Sequence, residues 1–262
     1  MTMKSFDELI AEALEAHFSG WDFSWLAERW IISPLPWDYQ HSVSAAFVGV
    51  GSLLDLGTGG GEFLASLAPL PHDTWATENY PPNMPIARDR LEPLGVHLVT
   101  GVPDGALPFP DDRFDLVINR HESYDAAEVY RVLRPGGRFL TQQVGGTNNI
   151  RLNELLQDEV AFEFAFWTPD LAVRQLQAAG FEIVQQLEAF PETQVADIGA
   201  VVYHLRAVPW QVEGFSVETH HHRLAAIHSM IDREGALRLR SHRFYLEALK
   251  PRNDGNTTRV LN

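Results

Sequence analysis

Between residues 52 and 64 the chain reads Ser52-Leu53-Leu54-Asp55-Leu56-Gly57-Thr58-Gly59-Gly60-Gly61-Glu62-Phe63-Leu64. A short apolar run ends in a carboxylate, four glycines fall within residues 57–61, and an amphipathic pattern begins. The order predicts strand, tight turn, helix. Glycine supplies positive φ angles in such a turn and leaves the backbone open to a ligand. A dinucleotide fingerprint, G-x-G-x-x-G, needs a third glycine at 62 or 64, and Glu62 and Leu64 stand there instead. The remaining pattern is an acidic residue followed by alternate glycines: Asp55, Gly57, Gly59 and Gly61. A second carboxylate, Glu78, closes the apolar run Thr74-Trp75-Ala76-Thr77. At the end of the next strand its side chain is suited to accept hydrogen bonds from both hydroxyls of a ribose.

Two further stretches follow in order. Leu107-Pro108-Phe109-Pro110-Asp111-Asp112-Arg113-Phe114-Asp115-Leu116-Val117-Ile118-Asn119 runs from a turn into an apolar strand. Glu128-Val129-Tyr130-Arg131-Val132-Leu133-Arg134-Pro135-Gly136-Gly137-Arg138-Phe139-Leu140 reads as helix, turn and strand. Together with the glycine loop and Glu78, these segments make residues 50–143 resemble the class I (Rossmann-like) methyltransferases that use S-adenosyl-L-methionine, of the methyltransferase type 11 kind.

The resemblance implies an α/β fold: a doubly wound, mostly parallel seven-stranded Rossmann-like sheet whose last strand is antiparallel. The alternation of elements agrees. Strands are expected at 52–56, 74–78, 96–100, 114–119, 137–143, 181–186 and 242–249. Helices are expected at 5–17, 42–50, 61–68, 84–92, 124–132, 168–180 and 218–234. Residues 197–208 fit either element; Ile198, Val201, Val202 and Leu205 recur at helical spacing, which favours a helix. The expected organisation is a single methyltransferase domain over 1–262. It has a helical N-terminal cap at 1–45, a cofactor-binding core at 50–190, a lid-like helical insertion at 190–240 and a last strand at 241–250.

Ligands of open α/β sheets lie beyond the carboxyl ends of the strands. The cofactor contacts implied are therefore Asp55, Gly57, Thr58, Gly59, Gly61, Glu78, Asn79 and Asn119, with Val102 and Asp104 at the adenine. The family's usual adenine-binding aspartate falls on Pro103 here, so Asp104 is the nearest substitute. In the loop Asn119-Arg120-His121-Glu122-Ser123, His121 is the candidate general base, because imidazole titrates near neutrality. Glu122 is a candidate to orient it or to bind a cationic substrate. A structural salt-bridge network through Arg120, His121 and Glu122 is the competing reading. The loop lacks the Asn/Asp-Pro-Pro-aromatic element of enzymes that methylate base amines.

Trp37 and Tyr39, just before the first core strand, are candidate lid residues, and Gln143 is the candidate substrate contact at the end of the fifth strand. Gln142 faces the other way by strand alternation. Most of the aromatics at 18–30 read as packing of the cap. The run His220-His221-His222 with His228 lacks a metal-ligand spacing, so no metal is expected.

The formal charge of −15, with Lys4 and Lys250 the only lysines, disfavours a nucleic-acid substrate, since affinity for nucleic acid rests largely on neutralising phosphates. A small-molecule substrate is favoured. No apolar run approaches the ~20 residues that span a bilayer. No secretory signal pattern opens the chain, and cysteine is absent, so a cytoplasmic location is expected. The function expected is methyl transfer to an unidentified acceptor. The alternatives are a catalytically degenerate protein that only binds S-adenosylmethionine, and an RNA methyltransferase.

Overall fold

The computed structural model describes residues 4–18, 21–100, 106–160 and 164–252. Its contacts divide the chain into two compact units, each assembled from several segments.

One unit comprises Asp38–Gln143, Pro169–Leu187 and Phe244–Asn262. The elements that build it and its seven-stranded sheet are α2 (Tyr39–Ala46), β2 (Ser52–Leu56), α3 (Glu62–Ser66), β3 (Asp73–Glu78), α4 (Asn83–Leu91), β4 (His97–Thr100), β5 (Phe114–Arg120), α5 (Ala126–Val132), β6 (Leu133–Val144), α7 (Pro169–Ala179), β7 (Glu182–Ala189) and β10 (Arg243–Leu249). The sheet order is β4-β3-β2-β5-β6-β10-β7. Strands β3 and β5 both pair in parallel with β2, β4 with β3, and β6 with β5. Strand β10 enters antiparallel to β6. Gly136 N donates to Lys250 O (2.7 Å) and Lys250 N to Gly137 O (2.9 Å) at one end, while Gly145 N reaches His242 O (3.0 Å) at the other.

All five residues of β2 are buried, the signature of a parallel strand covered on both faces. The doubly wound, mostly parallel seven-stranded sheet is thus the one expected. The chain runs outward from β2 to β4 and returns to start β5 on the other side of β2. That reversal opens the crevice where such sheets bind ligands.

The sequence motifs at 107–140 prove largely architectural. Glu128 accepts Leu107 N (2.7 Å), and Arg131 bridges Glu128, Phe109 O (2.7 Å) and Leu107 O (3.0 Å), so one helix clamps the preceding turn. Asp115 accepts Gly51 N (3.0 Å) and Ser52 N (2.9 Å) and pairs with Arg134 (2.7 Å), tying β5 to the start of β2. Burial alone would raise its carboxyl; the bonds from Arg134, Ser52 and Gly51 more than offset this. The Pro135-Gly136-Gly137 turn lies inside β6, where pairing with β5 jumps from Phe114↔Leu133 to Leu116↔Arg138.

The other unit comprises Met1–Trp37, Val144–Thr168 and Glu188–Arg243. It contains α1 (Phe6–Glu15), β1 (Trp30–Ile32), α6 (Ile150–Leu156), β8 (Glu192–Val195), α8 (Ile198–Ala207), α9 (Val217–Glu234) and β9 (Leu237–Arg240). Residues 197–208 are helical, as their spacing favoured: Asp197 caps Ala200 N (3.0 Å), and Ile198, Val201, Val202 and Leu205 are all buried. Helix α1 lies against α8 so closely that a side chain at Gly199 would collide with Leu9 O. Arg29 holds Asp197 through two nitrogens (2.7 and 2.5 Å) and covers Trp25 at 3.8 Å. The three-stranded antiparallel sheet β1-β8-β9 was not foreseen, and it places strands inside the insertion that the sequence presented as helical. Among the described residues no helix is long and apolar enough to cross a membrane.

Candidate functional site

The carboxyl ends of β2, β3 and β5 set out the candidate site. After β2, three alternate glycines adopt positive φ: Gly57 (71°), Gly59 (62°) and Gly61 (82°). A side chain at any of them would be strained. The loop is anchored to β3 by Gly57 N to Thr77 Oγ1 (3.2 Å) and Thr58 N to Thr77 O (2.9 Å). A Cβ at Gly61 would meet Leu91 at 2.8 Å, so this glycine also lets α3 approach α4. Gly57 faces the loop after β5, where a Cβ would lie 2.6 Å from Cβ of Glu122.

Asp55, next to last in β2, is 3% exposed. Burial raises its carboxyl from 3.8 to about 6, against the lowering effects of the Thr58 hydroxyl and Arg120, with Glu78 adding to the rise. The Arg120 guanidinium covers the Phe63 ring at 4.9 Å.

Glu78, 6% exposed, is fixed by its own turn. Its Oε1 accepts Asn79 N (2.8 Å) and Tyr80 N (2.7 Å), and its Oε2 accepts Asn83 Nδ2 (3.2 Å). Asn79 and Tyr80 are exposed. Asn83, in the first turn of α4, is completely buried, and its Oδ1 has no hydrogen-bond partner among the described residues.

Beneath the loops, Asn119 is buried at the end of β5. Its Nδ2 donates to Leu56 O (3.2 Å), and its Oδ1 accepts Thr141 Oγ1 (2.9 Å) and Gln143 Nε2 (2.6 Å). Gln143 Nε2 also reaches Glu122 O (3.1 Å). Gln143 is therefore a buried brace for the 121–123 loop and not a surface free to meet substrate. Its neighbour Gln142 bonds the His121 ring at 3.1 Å, and His121 N donates to Gln142 O (2.8 Å). His121 is exposed, with φ 62°. Glu122, also exposed, commits Oε1 to Ser123 N and Oγ, both at 3.0 Å.

Tyr39 is corrected from lid to framework. It is buried in α2, and its hydroxyl sits 2.9 Å from Asn119 O and 3.1 Å from Leu140 O, bracing adjacent strands from below. Phe63 stacks on its ring at 5.3 Å. Trp37 is half-buried and belongs to the other unit. Val102 and Asp104 lie outside the described residues. Of the histidines on α9, His220 meets Thr219 Oγ1 (2.8 Å), while His221 and His228 pack against Phe6 of α1.

The structure thus gathers Asp55, Gly57, Thr58, Gly59, Gly61, Glu78 and Glu122 around neighbouring strand ends, with Asn119 and Gln143 underneath. Sequence reasoning missed Arg120 as the cation facing Asp55. It also missed Asn83, whose signal was a polar residue where α4 turns inward.

Residues 54–141 match a family model described as a methyltransferase domain. No curated protein matches the chain. Among solved structures, the chain is similar to a Bacillus halodurans C-125 protein provisionally assigned as a methyltransferase. The two share 20% identity over 80% of this chain and 99% of that one, with a TM-score of 0.57. A Deinococcus radiodurans R1 protein of unknown function gives 15% identity, 84% and 90% coverage and a TM-score of 0.58. The [4+2]-cyclase SpnF gives 18%, 81% and 80%, and 0.50. At these identities the likeness is one of fold.

Proposed function

We propose that the chain transfers a methyl group from S-adenosylmethionine to a small-molecule acceptor, a reading supported by its Rossmann-like fold and by the methyltransferase-domain match over residues 54–141. The reading is carried by one observation: the buried, pre-oriented Glu78 carboxylate stands one strand away from a loop with three positive-φ glycines. Such a pair suits a ligand that combines a ribose with a group requiring bare backbone.

The residues present fit this cofactor. Asp55, Glu78 and Glu122 bring three carboxylates to the site, and Arg120 is the cation facing Asp55. A ligand carrying both a sulfonium and an ammonium group would relieve that excess of negative charge. Asn83 Oδ1, buried and unpaired, calls for a donor, which a hydroxyl supplies.

The bound cofactor would supply an activated methyl open to in-line displacement. Everything else falls to this chain. Gly57, Thr58, Gly59 and Gly61 would present backbone to the ligand, Glu78, set by its bond from Asn79 N, would hold the ribose, and Asn119 keeps the floor of the site rigid. Glu122, beside Gly57, would attract the positively charged end of the cofactor or a cationic acceptor. His121, exposed at the rim, receives the acceptor's proton where the acceptor carries one. Alignment of donor and acceptor supplies most of the acceleration. The charge of −15 supports a small molecule over a nucleic acid, and the cysteine-free sequence accords with a cytoplasmic setting.

Calorimetric titration with S-adenosylmethionine and S-adenosylhomocysteine tests this reading. Saturable one-to-one binding of both is expected. No heat of binding at millimolar ligand would sink it.

A further inference from the structure

Glu78 was expected to accept both hydroxyls of a ribose, but the structure leaves it room for only one. A carboxylate offers about four lone-pair sites. Three are taken: two at Oε1 by Asn79 N and Tyr80 N, and one at Oε2 by Asn83 Nδ2. A vicinal diol brings two donors, so the second hydroxyl needs another acceptor.

Asn83 Oδ1 meets that need. The amide is completely buried, and its oxygen has no partner among the described residues. Its orientation is not arbitrary. With Nδ2 donating to Glu78 Oε2 at 3.2 Å, the reversed amide would set two acceptors against each other. The carbonyl is thereby fixed beside the carboxylate and held without a donor. Buried polar groups in folded proteins are nearly always paired, so this oxygen calls for a donor from outside the described residues. The local sequence explains how it is held. Glu78-Asn79-Tyr80-Pro81-Pro82-Asn83 is a short turn in which Pro81 and Pro82 restrict the backbone and deliver Asn83 to the start of α4.

We propose that Asn83 is a ribose-binding residue. One hydroxyl of the cofactor's diol donates to Glu78 Oε2 and the other to Asn83 Oδ1, so the pair discriminates a full ribose from either deoxyribose. This rests on the adenosine-bearing cofactor proposed above.

The test is calorimetric, with S-adenosylhomocysteine and its 2′-deoxy and 3′-deoxy analogues as probes. The wild-type protein is expected to lose about tenfold in affinity on removal of either hydroxyl, the factor one such hydrogen bond supplies. Asn83→Ala is expected to bind the parent compound about tenfold more weakly. It should also stop distinguishing the parent from one of the two analogues while still rejecting the other. A thermal melt without ligand checks that the variant is folded. Parent affinity unchanged in Asn83→Ala, or an equal loss against all three compounds, overturns the proposal. If the variant does not fold, the wild-type series decides alone: affinity kept within about twofold for either analogue overturns it. Wild-type protein that binds none of the three compounds would instead sink the cofactor reading beneath it.

Discussion

Asp55→Asn is expected to make the protein more stable near neutral pH while weakening its hold on the cofactor. The Asp55 carboxyl is buried in β2, and its titration is raised from 3.8 to about 6 by that burial, helped by Glu78 and opposed by the Thr58 hydroxyl and Arg120. Because the folded value lies above the unfolded one, the fold favours the protonated form. The destabilisation is absent below about pH 4, grows as pH rises through the interval and is complete above about pH 6. At 1.36 kcal/mol per pH unit the gap from 3.8 to about 6 corresponds to about 3 kcal/mol. Asparagine keeps the shape and a side-chain acceptor but cannot ionise. Urea unfolding of both proteins, followed by tryptophan fluorescence from pH 4 to pH 7.5, reads the difference directly. The variant is expected to gain roughly 1–3 kcal/mol at pH 7.5 and nothing at pH 4. A variant that is less stable by the same amount at every pH would refute the reasoning.

Three other substitutions separate the binding residues from the framework. Glu78→Ala removes the ribose acceptor and should weaken S-adenosylhomocysteine binding ~10–100-fold by calorimetry. Gly57→Ala places a methyl into Glu122 at a φ of 71°, so cofactor binding should disappear and the unfolding free energy should fall by about 1–3 kcal/mol. Tyr39→Phe deletes the hydroxyl that meets Asn119 O and Leu140 O; a loss of about 1–2 kcal/mol in urea unfolding is expected, with cofactor affinity unchanged within twofold.

The core was legible because its determinants are local. Parallel strands covered on both faces appear as largely apolar runs, as at Leu53, Leu54 and Leu56 around Asp55, and positive φ at alternate loop positions demands glycine at 57, 59 and 61. Helix α8 was favoured over a strand by spacing, since Ile198, Val201, Val202 and Leu205 recur on one helical face, and all four are buried.

What escaped depends on distant pairing. The strands Trp30–Ile32 and Glu192–Val195 are short and show no clear apolar–polar alternation in sequence. Leu237-Arg238-Leu239-Arg240 does alternate, but it is only four residues long, and nothing near any of the three names its partner. Tyr39 looked like a lid residue because it precedes the first core strand; its hydroxyl is in fact committed to carbonyls 80 and 101 residues away. Gln143 was expected at the substrate for its strand-end position, yet that same position lets it brace the 121–123 loop. Asn83 was passed over: a polar residue at the start of α4 shows in the pattern, whereas its unpaired buried oxygen is a fact of geometry.

The most direct measurement is transfer itself. Purified protein would be incubated with S-adenosylmethionine carrying an isotopically labelled methyl group, together with separate pools of small metabolites and RNA. Labelled methyl in the small-molecule pool, accompanied by S-adenosylhomocysteine, is the predicted result. Label confined to RNA, or cofactor binding with no label transferred to either pool, would contradict it.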